Sequence, residues 1–353
     1  MSSHTRKRVL VAPLDWGLGH ATRCIPVIRE LLKQECEVQI ASSGEALLLL
    51  KEEFPALKFH ELVSYNPAYS AWLSFSIKII LQVPKFLRVI REEHDQMEEL
   101  IEKEKIDVII SDNRYGCWSK KIKSVMITHQ VNILLNPPWK IFSAMVNSFV
   151  HRWISNFHEC WVPDVAQGIT GAMSRTQLPV RFVGMLSRFE KMPRPIVCDV
   201  LAIVSGPEPQ RTLFEKLLSE KLQASGLTYF LVKGKVGQEQ SSSSSESEYL
   251  TAEHLNEKIE SSSIVICRPG YSSIMDLAKL GKKAIFIPTP GQTEQEHLAR
   301  ELKNRNIAFC QSQQEFDLLD ALEKSKRYSG FADFDSPPNL LPQAITDLLH
   351  LHA

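Results

Sequence analysis

The most constraining feature of this chain is an alternation of short β-branched runs with amphipathic helical stretches, which begins near residue 9 and starts afresh near residue 200. Such an alternation belongs to parallel sheets, because parallel neighbours need a long crossover and a helix supplies it. The first series reads as strands at 9–13, 37–42, 58–62, 107–112, 124–129 and 159–164, with helices at 21–34, 45–53, 84–104 and 140–156. The second reads as strands at 200–206, 228–234, 263–270, 283–288 and 307–310, with helices at 210–223, 272–280, 294–304 and 314–324. Pro193 and Pro195, one residue apart, disfavour regular structure and mark a seam between the series. At 353 residues, two cores of ordinary size are expected rather than one. The expected fold class is therefore α/β, with a Rossmann-like domain over residues 1–190 and a second over 191–335. Residues 336–353 hold a closing helix beyond Pro337–Pro338 that can cross back to the first domain, and the serine-rich 238–248 reads as a flexible surface loop.

Composition excludes several classes of function. Lys plus Arg and Asp plus Glu both number 41, so no global field recruits nucleic acid. The seven cysteines are scattered without a CxxC pair, which fits reduced thiols in the cytoplasm and neither a disulfide frame nor a zinc site. MSSHTRKR is followed by an apolar stretch broken at Pro13 and Asp15, too short for a secretory signal. No run approaches the roughly 18 apolar residues that cross a bilayer. Residues 65–90 and 136–157 mix aromatic and aliphatic residues with Lys and Arg. They read either as core-facing amphipathic helices or as segments lying in a bilayer interface. Peripheral contact with the inner face of the membrane, and a lipid-linked partner, stay open.

In tandem parallel-sheet domains, ligands bind in a cleft outside the carboxyl ends of the strands. The loop after the first strand, LDWGLGH, has Gly17 and Gly19 for a tight turn and His20 where a helix opens. A third glycine of the dinucleotide fingerprint is absent, with Thr22 in its place, which disfavours NAD. His20 suits a neutral base that takes a proton from a hydroxyl, or simply caps the helix. Asp15 is a second candidate base or a turn former. Asp112, Asn113 and Arg114 close a strand and suit the polar groups of an acceptor, or a turn.

The second half carries the sharper constellation. A buried strand ends in Arg268-Pro269-Gly270, and a helix starts through Ser272 and Ser273; Arg268, Gly270, Ser272 and Ser273 are candidate donor-binding residues. Backbone N–H groups and hydroxyls at such a helix mouth can bind a diphosphate. Asp276, three residues on from Ser273, can accept hydrogen bonds from ribose hydroxyls, and Gln295-Glu296 after the next strand can read sugar hydroxyls.

These motifs resemble glycosyltransferase family 28 over about 85 residues: strand, C-R-x-G, hydroxyl-rich helix start, acidic residue, glycine, strand ending F-x-P, then the pair at 295–296. The family includes the enzyme adding N-acetylglucosamine to the peptidoglycan lipid intermediate. Asp276 and Glu296 stand where that enzyme usually has Glu and Gln. GLGH resembles the family's GGxGGH loop, which carries His20 onto a base or acceptor contact. RFVGMLSRF resembles VGNPVR, carrying Arg188 onto a phosphate contact, and VSGPEPQR resembles GGSxGA, placing Ser205 and Gly206 beside the phosphates. Glu208 is an unusual neighbour for a diphosphate unless it points away. THQVN, with His129 and Gln130, resembles the cleft-lining HEQN stretch.

The resemblance implies a GT-B fold of two Rossmann-like domains facing a cleft. It implies a nucleotide-sugar donor, UDP-linked, and inverting transfer without metal or cofactor. A metal-dependent D-x-D reading exists at Asp333-Phe334-Asp335, but no strand precedes it, and it reads as a solvated loop. His151 and His158 have no partner set for zinc. Two other readings are a UDP-sugar 2-epimerase-like enzyme on the same fold and a nucleotide-sugar-binding module without turnover.

Overall fold

The computed structural model describes residues 6–66, 82–135, 137, 139–166, 168–234, 246–247, 250–332 and 339–350. The chain divides into two compact units, the first taking the described residues up to 186 together with 339–350, the second taking 187–332.

The first unit is built on a seven-stranded parallel sheet in the order β3-β2-β1-β4-β5-β6-β7. Its elements are β1 (Arg8–Pro13), α1 (Leu18–Lys33), β2 (Glu37–Ser42), α2 (Gly44–Glu53), β3 (Lys58–Glu61), α3 (Val83–Glu104), β4 (Val108–Asp112), β5 (Lys123–Ile127), α4 (Ser143–Ile154), β6 (Glu159–Val162) and β7 (Val180–Phe182). Val9, Leu10, Val11 and Ala12 are completely buried, as expected for a strand covered on both faces. Helix α1 begins three residues earlier than its periodicity indicates, because Gly17 turns the chain at φ 82 and releases Leu18 directly into the helix. The expected helix at 140–156 starts as a 3-10 turn, Trp139–Phe142. Strand β7, short and at the sheet edge, has no counterpart among the expected strands.

The second unit has a six-stranded parallel sheet, β10-β9-β8-β11-β12-β13. It runs β8 (Cys198–Ile203), α5 (Gln210–Gln223), β9 (Tyr229–Val232), β10 (Glu246–Ser247), α6 (Ala252–Glu260), β11 (Ser262–Cys267), α7 (Tyr271–Leu280), β12 (Ala284–Phe286), α8 (Thr293–Asn304), β13 (Phe309–Cys310) and α9 (Leu318–Ser325). Val200, Ala202, Phe214, Leu218, Ile264, Ile266, Ile285 and Ile287 form its core. The loop expected at 238–248 differs at its end, where Glu246 and Ser247 pair with Leu231 and Val232. Helix α9 starts at Leu318 and not at 314, because the Asp317 side chain accepts the Asp320 N–H and fixes the cap there.

The closing helix, α10 (Leu341–His350), belongs to the first unit. Gln34, at the end of α1, donates to the Pro342 carbonyl at 3.1 Å and accepts from Thr346 Oγ1 at 3.2 Å. Arg181 pairs with Asp347 at 2.5 Å, and Leu341, Ala344, Ile345 and Leu348 are buried beneath.

Each sheet reverses its order once. Strand β1 sits between β2 and β4, and β8 between β9 and β11. At such a reversal the loops leaving the two central strands part to opposite faces and open a crevice at the strand C-termini.

Candidate active site

In the first unit the reversal brings Pro13 level with Asp112, and the Leu14 N–H bonds to the Asp112 carbonyl at 2.9 Å. The turn at Gly17 sets His20 in the opening turn of α1, directly over β4. His20 Nδ1 lies 2.6 Å from Asp112 Oδ1. Arg23, three residues later on the same helix face, places Nε 2.5 Å from Asp112 Oδ2 and bonds Oδ1 through Nη2. The Asp112 carboxylate is completely buried. Burial opposes its ionisation, but the charges and hydrogen bonds of Arg23 and His20 outweigh burial and hold the carboxyl well below its usual range.

That ionisation decides the tautomer of His20. An ionised carboxylate only accepts, so Nδ1 carries the proton that points at Asp112, and in the neutral ring the lone pair lies on Nε2. Arg23 Nη2 also lies 2.9 Å from Nδ1, but its hydrogen has Asp112 to go to. The His20 side chain keeps 17% exposure, enough for its outer nitrogen to meet a hydroxyl. Arg23 Nη1 reaches His129 Nδ1 at 2.7 Å, so His129 accepts there, and Gln130 Nε2 lies 3.5 Å from His129 Nε2.

Other first-unit candidates have structural partners. Asp15 Oδ2 accepts from Ser43 Oγ at 2.9 Å and from Ser64 Oγ, and Arg114 Nη2 is 3.5 Å from Oδ1. Arg114 is fully buried. Four of its five N–H donors go to the Pro13 carbonyl, the Val63 carbonyl, Glu93 Oε1 and Ser43 Oγ at 2.6–3.0 Å, and with Asp15 beside the remaining one the buried guanidinium is out of reach of an acceptor substrate. Asn113 takes the left-handed turn after β4, at φ 55.

In the second unit the reversal sets Cys267 level with Ile203. Beyond β8, Ser205 is half-buried and Gly206 is exposed at φ 109. Glu208 turns away onto α5: Oε1 accepts from Arg211 at 2.6 and 2.9 Å, and Oε2 from Thr212 Oγ1 at 2.8 Å. Beyond β11, Gly270 is the N-cap of α7 with no side-chain cap bond, and Ser272 and Ser273 are half-buried in the first turn. Asp276 follows, accepting from Ser187 Oγ at 2.6 Å with Arg188 Nε 3.9 Å from its other oxygen. In α8, Gln295 Oε1 accepts the Thr289 N–H at 2.8 Å and Glu296 Oε1 the Gly291 N–H at 2.9 Å. Both thereby fix the loop after β12.

Residues 201–329 match the glycosyltransferase family 28 C-terminal domain, most of the second unit. An uncharacterized glycosyltransferase of Methanosarcina acetivorans is 21% identical over 97% of this chain and 90% of its own length. The UDP-N-acetylglucosamine–N-acetylmuramyl-(pentapeptide) pyrophosphoryl-undecaprenol N-acetylglucosamine transferase of Sulfurihydrogenibium sp. is 24% identical, over 44% of this chain and about half of that enzyme, 48%. Among solved structures, spinosyn forosaminyltransferase SpnP superposes with a TM-score of 0.65 at 14% identity, covering 98% of this chain and all of its own, 100%. Spinosyn rhamnosyltransferase SpnG, complexed with thymidine diphosphate, gives 0.62 at 15% identity, covering 97% and 96%.

The second unit carries a glycosyltransferase family 28 C-terminal domain, and the chain is a glycosyltransferase of GT-B fold.

In the transferase, Arg268 does not stand where a phosphate could reach it. It is 1% exposed, stacks over Phe214 at 3.8 Å, and donates to the Ile287 and Pro288 carbonyls at 3.0 Å and to Gln313 Oε1 at 2.5 Å. Burial pushes its guanidinium down to about 9. It braces the loop after β12 from below. Arg23 and Ser187 escaped the sequence reading. Arg23 had one available signal, its i, i+3 spacing from His20, but its partner Asp112 lies 89 residues away. His151 bonds Asn132 and His158 accepts the Ser124 N–H, so both have structural partners, and Asp333–Asp335 lie outside the described residues.

Proposed function

We propose that the transferase moves a sugar from a nucleoside-diphosphate donor, of the UDP type, to an acceptor hydroxyl, with inversion and without a metal. The observation that carries the reading is the His20–Asp112 pair, whose fixed tautomer leaves Nε2 as a proton acceptor. His20 Nε2 takes the acceptor's O–H proton as that oxygen attacks the anomeric carbon. The bond from that carbon to the diphosphate oxygen breaks, and its electron pair leaves with the diphosphate. Attack opposite the leaving group inverts the anomeric centre. Asp112 stabilises the imidazolium that forms.

The second unit offers the means to hold the diphosphate: the α7 N-terminus at Gly270, the hydroxyls of Ser272, Ser273 and Ser205, and Arg188. Helix-end N–H groups and a cation stabilise a developing phosphate charge directly, which supports the metal-free reading. Asp276 would accept from the ribose. The UDP assignment draws on the relative matched over about half its length, 48%, whose name specifies a UDP-sugar, and the SpnG complex makes thymidine diphosphate the competing nucleotide to test.

A lipid-linked acceptor is supported by the same relative's undecaprenol substrate and by the face around α4. There Ile141 is 80% exposed, and Phe142, Met145 and Phe149 are exposed beside it. No helix among the described residues is long and apolar enough to cross a membrane, so such a face would lie along the bilayer interface. Of the expected interface segment 65–90, residues 67–81 lie outside the described residues.

Thermal shift with UDP-, GDP- and dTDP-sugars should raise Tm for one donor. Transfer from that donor should persist in EDTA and fall by ~10²–10⁴ in His20→Ala. A His20→Ala variant that transfers at the wild-type rate refutes the catalytic reading, and a rate abolished by EDTA refutes its metal-free part.

A further inference from the structure

We propose that Ser187 is a positioning residue, which fixes the Asp276 carboxylate to receive the ribose hydroxyls of the donor. The inference rests on the donor reading given above and adds to it a residue that makes no contact with the donor itself. Ser187 Oγ donates its one proton to Asp276 Oδ1 at 2.6 Å. The same oxygen accepts the Phe189 N–H at 3.1 Å, so the hydroxyl is oriented from behind by the backbone. The Arg188 N–H also bonds the carboxylate, while its guanidinium lies 3.9 Å from Oδ2 and over the Phe189 ring at 4.8 Å. The segment Ser187–Phe189 thus grips Asp276 from one side. A carboxylate has about four acceptor sites, so this grip leaves capacity for a ligand, and the Asp276 side chain is 12% exposed.

The sequence gives the grip a reason. In VGMLSR, Ser187 stands where the family motif has Val, and Asp276 stands where the lipid-intermediate enzyme usually has Glu. An aspartate is one methylene shorter than a glutamate and sits nearer its own helix. The hydroxyl at 187 holds the short acid in one orientation, which an apolar Val could not do. Besides Arg188, the Cys267 thiol faces Asp276. Burial raises the Asp276 carboxyl to about 6, against the pull of Arg188 and Ser187. Loss of the Ser187 bond should raise it further.

The test uses the full-length enzyme with UDP and 2′,3′-dideoxy-UDP as calorimetric probes. Wild type should prefer UDP by about tenfold, the size of a hydrogen bond to a charged group. Ser187→Ala should weaken UDP by about fivefold and leave the dideoxy compound unchanged, and it should move the pH midpoint of UDP binding upward. Ser187→Thr, which keeps the hydroxyl, should restore both. Equal UDP affinity in wild type and Ser187→Ala overturns the inference, as does an equal loss for both probes, which would make Ser187 a structural prop. Wild type that binds neither probe overturns the UDP reading on which the inference stands, a result distinct from the other two.

Discussion

The two strand-end crevices share a strand order, yet they are finished in opposite ways. In the first unit, side chains bond to side chains: His20, Arg23 and His129 converge with Asp112, which is completely buried. In the second, Asp276 meets Ser187, but Arg268, Gln295 and Glu296 turn mainly onto backbone. Arg268 goes to two carbonyls, and Gln295 and Glu296 take the N–H groups of Thr289 and Gly291. The first arrangement fixes which ring nitrogen of one imidazole faces the carboxylate. The second shapes loops and leaves a helix start to offer its own N–H groups. A charged residue just after a strand therefore has no single meaning; what it bonds decides whether it serves chemistry or scaffold.

The most severe way to break this contrast is Asp112→Asn. The amide can face His20 with its N–H₂, which favours the wrong tautomer, and transfer should fall by ~10³–10⁴. The same change leaves Arg23 buried without its counter-charge, which should destabilise the first unit by ~3–5 kcal/mol. Initial rates with a urea titration measure both. His20→Ala should reproduce the rate loss with little change in the urea midpoint. If Asp112→Asn unfolds more easily yet transfers normally, the first crevice is scaffold too, and the contrast disappears.

Arg268→Met tests the other side. It leaves the Ile287 and Pro288 carbonyls without their donor, and each buried orphan costs ~1–3 kcal/mol. We expect a loss of ~2–4 kcal/mol in the second unit and near wild-type turnover at saturating donor below the melting range. A turnover loss as deep as that of His20→Ala, with stability intact, would make Arg268 a substrate contact.

The same contrast explains what the sequence disclosed. Strand and helix placement was legible because buried β-branched runs and the 3.6-residue period are local signals. Helix α6 escaped because it follows the serine-rich stretch, although the Thr251 cap and the Ala252, Leu255, Ile259 stripe were there to be read. Strand β7 has three residues, too few for a period. Gly17, His20 and Asp112 were legible as loop positions, but not as partners, since 92 residues separate His20 from Asp112. Arg268 and Arg114 read as ligand contacts because each follows a strand. Their burial depends on carbonyls and acids supplied by distant segments, which no local spacing encodes.

The smallest effect, and the sharpest separation of the two crevices, is in pH dependence. Asp276 is raised from its ordinary 3.8 to about 6, mainly by burial. Above about pH 6 it is ionised in the folded enzyme, at some expense of stability, since the unfolded chain ionises it nearer pH 4. Stability contributed at this site therefore falls as pH rises from about 4 to 6. Donor recognition runs the other way. A carboxylate is the stronger acceptor for ribose hydroxyls, so donor KM should climb by about threefold to tenfold as pH drops below 6. Asp276→Asn should hold KM near its low-pH value and flatten that slope. Asp112 is held far below this range by Arg23 and His20 and stays ionised throughout, so the same pH window leaves the charge behind His20 untouched. A donor KM that is flat from pH 5 to 7 in wild type would remove Asp276 from the donor site and place it with Arg268 among the residues that only brace the fold.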